Sequence, residues 1–216
     1  MSRILVATAA AAALAILSMP AAAAPKAKAG TKLTQNDLRV CMGVDGSKPE
    51  DQIPVCTKII NSGFVKHPHT GDYYATRGAA YFAVGQLDNA MADLNKAIGI
   101  RQAPEFYFQR GMVFMSLSDL SGAKTDFDQV IKLKPAFAPP YFMRGLVAYS
   151  SADFAEAQSF FDATVKRVPT HYKALYGRGV VKKKLGDENG GKKDMSDARG
   201  MSDSVEKEMT QLGIKP

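Results

Sequence analysis

Glycine, small and bulky apolar residues recur at a fixed spacing along residues 71–200. The markers are Arg-Gly pairs, whose glycines follow one another after 33, 34 and 34 residues: Gly78, Gly111, Gly145 and Gly179. Twelve residues after each glycine stands a small residue: Ala90, Ala123, Ala157 and Gly191. Sixteen residues after it stands a bulky apolar residue: Leu94, Phe127, Phe161 and Met195. A period of about 34 residues indicates an array of stacked helix pairs.

Each unit is predicted to fold as two antiparallel helices, helix A and helix B. The A helices are predicted over residues 71–84, 105–117, 139–151 and 172–185. The B helices are predicted over residues 87–100, 120–133, 154–167 and 188–199. The glycine is expected where helix B crosses helix A, opposite the small residue, because two small residues let the helix axes approach closely. A single unit cannot bury its apolar face, so stability comes from the stacking of neighbouring units.

The first unit reads Tyr74-x-x-Arg77-Gly78-x-x-Tyr81, followed by a small residue on its second helix. This arrangement resembles the tetratricopeptide repeat, with arginine where the consensus of that family has leucine. The resemblance covers about residues 71–200. It implies an all-α fold, a superhelical array (solenoid) of antiparallel helix pairs. It also implies a binding role but no particular partner, because this fold serves many.

Both ends of the array are predicted to be closed by atypical helices. Residues 34–66 are predicted to form a degenerate N-terminal helical hairpin that lacks the Arg-Gly pair. Thr34 is expected to cap its first helix, and Pro49 to begin its second. Residues 201–216 are predicted to form a C-terminal capping helix over the last unit.

The C-terminal capping helix has its own start signal and apolar stripe. Asp203 and Glu206 have the spacing of a capping box, in which each side chain bonds a backbone N–H at the helix start. Val205, Met209 and Leu212 are predicted to form the stripe that covers the open face of the last unit.

The two cysteines of the chain, Cys41 and Cys56, lie one on each arm of the N-terminal hairpin. A disulfide is the default for a lone pair of cysteines in an exported protein. Two buried free thiols and a metal or redox site remain alternatives. His67 and His69 flank a proline in a connector, a setting more typical of loop residues than of metal ligands, so no metal or cofactor is predicted.

The N-terminus carries an export signal. Arg3 precedes an apolar run over residues 4–17, and an Ala-x-Ala pattern follows it. These features are typical of a secretory signal peptide, predicted over residues 1–23, with an uncleaved membrane anchor as the alternative. Residues 24–33 are predicted to be a flexible basic linker. The mature protein is therefore expected in the periplasm.

Charge and composition exclude some functions. The chain has 28 Lys and Arg against 21 Asp and Glu, a net charge of +7, which is below the density of a dedicated nucleic-acid binder. No phosphate loop, nucleophile elbow or triad is present, so no catalytic residue is predicted. The lysines Lys182, Lys183 and Lys184 form a basic patch, interpreted as a solvated face or as a contact to an anionic envelope surface.

Acidic residues follow three of the four repeat arginines at a constant distance. Asp93, Asp126 and Asp194 stand sixteen residues after the arginines of units 1, 2 and 4, and Phe160 replaces the acid in unit 3. Because helix B runs back along helix A, each acid is predicted to meet its arginine across the hairpin. A solvated charged face is the alternative, since exposed pairs contribute about 0–1 kcal/mol.

In tetratricopeptide arrays the A helices line a concave groove. The positions of this chain expected to face that groove, partly exposed, are mostly bulky and apolar: Phe82, Phe108, Met112, Met115, Phe142, Leu146, Tyr149, Tyr176 and Val180. The number of these residues exceeds the number of bulky apolar residues that an unused surface would carry. The flexible methionine side chains can adapt to varied partners. The alternative is that the array is tightly wound, or that the termini of the chain fill the groove, so that these residues are plain core.

These features lead to one hypothesis and one alternative. The hypothesis is a non-catalytic adaptor of the bacterial cell envelope that binds a protein or peptide segment in an apolar groove. The alternative is a structural envelope component that contacts anionic membrane or wall polymer through its basic C-terminal repeat.

Overall fold

The computed structural model describes residues 33–63 and 69–216, and the regular elements in these ranges are all α-helices. In chain order they are α1 (Gln35–Cys41), α2 (Pro49–Ser62), α3 (Thr70–Ala83), α4 (Leu87–Ile100), α5 (Pro104–Ser116), α6 (Leu120–Leu133), α7 (Pro139–Ser150), α8 (Phe154–Arg167), α9 (Tyr172–Lys184), α10 (Glu188–Met201) and α11 (Val205–Gln211). No helix in these ranges has the length and apolarity needed to cross a membrane. The predicted signal peptide, most of the predicted linker and His67 lie outside the described residues.

The four predicted units are present as consecutive helix pairs: α3–α4, α5–α6, α7–α8 and α9–α10, named units 1 to 4. Their bounds agree with the predicted A and B helices to within two residues. The α1–α2 hairpin packs against unit 1, and α11 packs against α9 of unit 4. The all-α array of helix pairs is therefore confirmed.

Local sequence explains where the helices of each unit begin and end. The turn from helix A to helix B holds one residue in the left-handed backbone region in every unit, which ends helix A: Gly85, Ser118, Ala152 and Gly186. In units 2, 3 and 4 an aspartate then caps helix B by accepting a hydrogen bond from the backbone N–H three residues later: Asp119, Asp153 and Asp187. Repeated turn chemistry keeps the units in register.

The crossing of helices A and B is closest at the repeat glycine. A Cβ atom added to Gly111 would lie 2.7 Å from Cε1 of Phe127, and one added to Gly145 would lie 2.5 Å from Cε1 of Phe161. These rings belong to the bulky residue sixteen positions after the glycine, so the glycine makes room for a ring as well as facing a small residue. Both phenylalanines are completely buried.

The repeat arginines of units 1, 2 and 4 make the predicted pairs across their hairpins. Arg110 donates from Nε and Nη2 to the two carboxylate oxygens of Asp126 at 2.8 and 2.7 Å. Arg77 and Arg178 bind Asp93 and Asp194 in the same two-pronged way. The paired-charge prediction is confirmed, and the solvated-face alternative is wrong because the three aspartates are buried.

Each arginine also reaches the B helix of the preceding unit, a contact that the sequence pattern did not predict. Nη1 of Arg110 donates to Asn95 at 2.7 Å, and Nη1 of Arg178 donates to Asp162 at 3.0 Å. In the first unit, Arg77 donates to Thr57 of α2 at 2.8 Å. The α1–α2 hairpin is therefore joined to the array as a preceding unit would be, through its second helix.

In unit 3, where Phe160 stands in place of the aspartate, the arginine has other partners. The guanidinium of Arg144 lies over the ring of Phe160, 4.4 Å from its centroid, where a cation and an aromatic face attract each other. Its nitrogens donate to Asp128 of the preceding unit at 2.6 Å and to Glu156 at 2.8 Å. Arg144 is fully buried, and within the described part of the chain its Nη1 has no hydrogen-bond partner.

Cys41 and Cys56 form a disulfide that joins α1 to α2. Both cysteines are completely buried, and Ile59 packs with them in a small core of the hairpin. Thr34 caps α1 in a capping box with Asp37, and Pro49 begins α2, as predicted.

Two expectations for the C-terminal capping helix are wrong. Ser204 is the N-cap and bonds no backbone N–H with its side chain, so the capping box is absent, and Glu206 pairs with Arg199 instead. Leu212 is exposed, and Ile214 takes its place in the core. The reason is a left-handed backbone at Gly213, which reverses the chain and bonds the Ile214 N–H to the Met209 carbonyl.

The first testable prediction concerns the disulfide. The purified protein should contain no titratable thiol until it is reduced, because its two cysteines are paired. Reduction should lower the melting temperature, since opening a link across 15 residues removes about 3 kcal/mol in the loop-entropy account. Thiol titration in denaturant and a melting curve with and without reductant measure both effects. Two reactive thiols in the native protein would contradict the prediction.

The second prediction concerns the helix crossing. Gly111→Leu should destabilise the array by at least about 1–3 kcal/mol, because the new side chain overlaps the Phe127 ring. Gly99→Leu is the matched control: Gly99 is exposed on α4 with open space around it, so leucine should leave stability unchanged or raise it by up to about 1 kcal/mol. Denaturant unfolding measures the stability of each variant relative to the wild type. Equal stability of both variants would mean that the crossing is placed wrongly.

Candidate binding groove

The groove surface is formed by the A-helix positions that sequence analysis selected. The solvent exposure of these positions changes along the array. In units 1 and 2 these positions are partly exposed: Phe82, Phe108, Met112 and Met115. Tyr149 at the end of α7 is also partly exposed. This half of the surface therefore has the partial exposure that the sequence predicted.

The register positions of Phe108 and Met112 are buried in units 3 and 4. Their exposed fractions are at most a twentieth: Phe142 5%, Leu146 2%, Tyr176 0% and Val180 1%. The expectation of partial exposure is wrong for these four residues. Phe142 packs against Phe161 and His171, with ring centroids 5.9 and 4.8 Å away. Burial of His171 in this packing lowers the pKa of its imidazole.

The cover on this half is the end of the chain itself, residues 205–216, named here the C-terminal segment. Val205, Met209 and Ile214 are completely buried in the same core cluster as the four groove residues. The hydroxyl of Tyr149 donates to the backbone carbonyl of Lys215 at 3.3 Å. The segment therefore extends from α9 to the end of α7 across the A-helix side.

Polar contacts at the edge hold the C-terminal segment in place. Glu208 forms an ion pair with Lys173 at 2.6 Å and accepts a hydrogen bond from the Tyr172 hydroxyl at 3.1 Å. Hydrogen bonds from Lys173, and next from Ser204, lower the pKa of Glu208 to about 2. Glu206 pairs with Arg199 of α10 at 2.9 Å. The segment is therefore fixed by apolar burial below and by opposite charges around it.

The open half contains two adjoining apolar cavities. One has a volume of about 150 Å³ and is lined by residues of units 1 and 2: Ala79, Phe82, Leu94, Phe108, Gln109 and Met112. The other has a volume of about 240 Å³ and is lined by α5 and the loop after α6: Pro104, Glu105, Phe108, Gln109, Lys134 and Phe137. Each cavity is large enough for one apolar side chain of a ligand.

Phe108 and Gln109 separate these two cavities. The Phe108 ring rests on Phe127 and Phe137, with centroids 5.7 and 6.0 Å away, so its orientation is supported from both sides. The side-chain oxygen of Gln109 is buried and has no hydrogen-bond partner among residues 33–63 and 69–216. Phe137 and Gln109 were missed by sequence reasoning, because Phe137 lies in a connecting loop and Gln109 is a polar residue.

The three lysines of the predicted basic patch do not form one free cationic surface. Lys182 is paired with Asp194 at 2.9 Å. Lys184 lies over the rings of Phe154 and Tyr149, 5.5 and 5.9 Å from their centroids. Lys183 packs its stem against Gly191. Residues 33–63 and 69–216 contain no group of three or more His, Cys, Asp or Glu that could hold a metal ion.

Comparison with solved structures places the chain among arrays of the same architecture. A crystal structure of MamA aligns with a TM-score of 0.68 at 18% identity, covering 82% of this chain and 99% of that one. MamA from Desulfovibrio magneticus RS-1 aligns with 0.69 at 14% identity, with 78% and 94% covered. YrrB, described as a TPR protein with an unusual peptide-binding site, aligns with 0.64 at 16% identity, with 76% and 83% covered.

At these identities the solved structures establish the fold alone. No curated protein sequence matches the chain at a significant level. The family model named tetratricopeptide repeat matches residues 71–104 and 104–137, which span units 1 and 2. Residues 71–137 therefore carry tetratricopeptide repeats, and the helix pairs of units 3 and 4 continue the same fold.

Proposed function

We propose that this protein is a non-catalytic interaction adaptor of the bacterial cell envelope that binds a segment of a partner protein on the groove surface of units 1 and 2. The observation that carries the proposal is the contrast in exposure at equivalent positions. Phe108 and Met112 are partly exposed, whereas Phe142 and Leu146, one unit further on, are buried. An apolar surface left open within an otherwise covered groove is typical of a binding site.

The shape of the open surface favours an extended peptide over a globular surface. Two neighbouring apolar cavities share the Phe108 ring as a common wall, so a ligand can insert one bulky side chain on either side of it. Gln109 lines both cavities next to Phe108 and adds a polar side chain to their apolar lining. Apolar pockets with a few placed polar groups are the usual composition of ligand sites. YrrB, one of the similar structures, is described as having a peptide-binding site.

The envelope location rests on two features of the chain. The first is the pattern of Arg3 and the apolar residues 4–17, which is typical of a secretory signal peptide. The second is the disulfide between Cys41 and Cys56, because structural disulfides persist in oxidising compartments such as the periplasm. The alternative role, contact with an anionic envelope surface through the basic fourth unit, is less favoured because Lys182 and Lys184 are engaged within the protein.

The prediction that tests this function uses Phe108→Ser. Peptides selected from a displayed library against the wild-type protein should carry bulky apolar side chains. Their affinity for Phe108→Ser should fall by roughly tenfold or more, because central aromatic residues dominate interface energies. Stability should fall by less than about 3 kcal/mol, the lower figure for removal of a core Phe, since Phe108 is only partly buried. Calorimetric titration and denaturant unfolding measure the two effects.

Leu117→Ser is the matched control, because Leu117 is exposed in the turn between α5 and α6, away from the apolar cavities. It should leave both peptide affinity and stability unchanged. The proposal fails if no peptide is selected, or if selected peptides bind Phe108→Ser as tightly as the wild type. Destabilisation of Phe108→Ser as severe as that of Gly111→Leu would mean that Phe108 is core.

A further inference from the structure

We propose that units 3 and 4 carry a second binding site, occupied within the chain by the C-terminal segment, which accepts an acidic amphipathic helix from a partner protein when the segment is displaced. This site is separate from the open surface of units 1 and 2 and does not depend on binding there. Five observations support it, and the ligand chemistry is taken from the segment that fills the site.

The first observation is the register of the array. Phe142 and Tyr176 occupy the position of Phe108 in units 3 and 4, and Leu146 and Val180 occupy that of Met112. In unit 2 both positions are partly exposed, whereas in units 3 and 4 they share a core cluster with the C-terminal segment. The segment therefore belongs to the packing around the A-helix surface of units 3 and 4.

The second observation is the small size of the cover. α11 has only seven residues, and isolated helices of that length are not stable in water. Its helical form therefore depends on docking against α9. Val205, Met209 and Ile214 supply the buried contacts, and the remaining residues of α11 are mostly exposed. A short terminal element with few anchors belongs to the part of a protein that opens most readily.

The third observation links the buried groove surface to the charged edge of the site. Tyr176 is completely buried, and the guanidinium of Arg199 lies 5.7 Å from the centroid of its ring. The same arginine pairs with Glu206 of the segment. The buried apolar surface and the charge pairs at its edge therefore belong to one site.

The fourth observation is charge complementarity. Lys173 on α9 and Arg199 on α10 stand at the edge of the site and pair with Glu208 and Glu206 of the segment. Opposite charges at the rim of an interface select and orient the ligand. A partner helix with acids at these positions would replace both pairs.

The fifth observation defines the apolar side of the ligand. Val205 and Met209 are one helical turn apart and point to the same face, and the Met209 methyl lies 3.3 Å from where a Cβ on Gly177 would be. Gly177 thus leaves the space that the methionine occupies. The expected ligand is a helix with two apolar residues four apart, an acid beside the second, and a bulky apolar residue after the helix end.

The experiment uses the full chain and a fluorescent peptide of residues 202–216 as probe. Met209→Asp in the protein should release the segment, because a carboxylate cannot replace a buried thioether. The released protein should bind the peptide at least roughly tenfold more tightly than the wild type, in which the tethered segment competes at a high effective concentration. Fluorescence anisotropy measures the affinities, and hydrogen exchange of residues 205–214 verifies release.

Leu212→Asp is the matched control: it adds the same charge to the same segment at an exposed residue and should not release it. A peptide in which Glu208 is changed to lysine should bind the released protein weakly. It should bind more tightly once Lys173→Glu is added to that protein, because the ion pair is restored in reverse. A non-specific apolar contact would not show this rescue.

Glu208→Lys in the protein is a second, milder way to weaken docking, in case Met209→Asp disturbs folding. The proposal is overturned if released protein fails to bind the peptide, if wild type and released protein bind it equally, or if both variants lose the helices of the whole array. It is also overturned if released chains only exchange segments as dimers. Phe108→Ser in the released protein should leave peptide binding unchanged. Loss of binding would mean one continuous site and would overturn the separate second site.

Discussion

The arginine of each Arg-Gly pair joins three helices, and the register of the whole array depends on this contact. In units 2 and 4 its guanidinium binds an aspartate on its own B helix and a polar residue on the preceding B helix. The aspartates are buried, so each arginine offsets a charge that would otherwise stand alone in the core. Removal of one partner from a buried pair costs about 3–5 kcal/mol. The spacing of the units is thereby fixed by directional bonds as well as by apolar packing.

A fixed register has a functional consequence, because it brings equivalent A-helix positions onto one surface. If nothing else covered that surface, Phe108, Phe142 and Tyr176 would be exposed alike. They are not, since Phe108 is partly exposed, whereas Phe142 and Tyr176 are buried in a core cluster that includes residues of the C-terminal segment. The repeat architecture thus supplies a long surface, of which the part in units 1 and 2 stays open.

The repeating features were predictable from the sequence, and the exceptions were not. Helix bounds and the arginine–aspartate pairs follow from a 34-residue period and from turn residues that act locally. The bonds from Arg110 to Asn95 and from Arg178 to Asp162 join neighbouring units, so they require the stacking geometry. The buried state of Phe142 depends on its packing against Phe161 and against His171 at the start of the next unit, which again requires the stacking geometry. The C-terminal segment differs from its predicted packing because a single left-handed residue, Gly213, turns Ile214 inward in place of Leu212.

Hydroxyl-radical footprinting of the purified full chain tests most directly the claim that the open groove is confined to units 1 and 2. Phe108 and Phe142 are the same residue type at the same register position, so their intrinsic reactivity is equal and only solvent access differs. The account predicts that Phe108 is modified several times faster than Phe142, which is only 5% exposed. Equal rates at the two positions, or faster modification of Phe142, would contradict it.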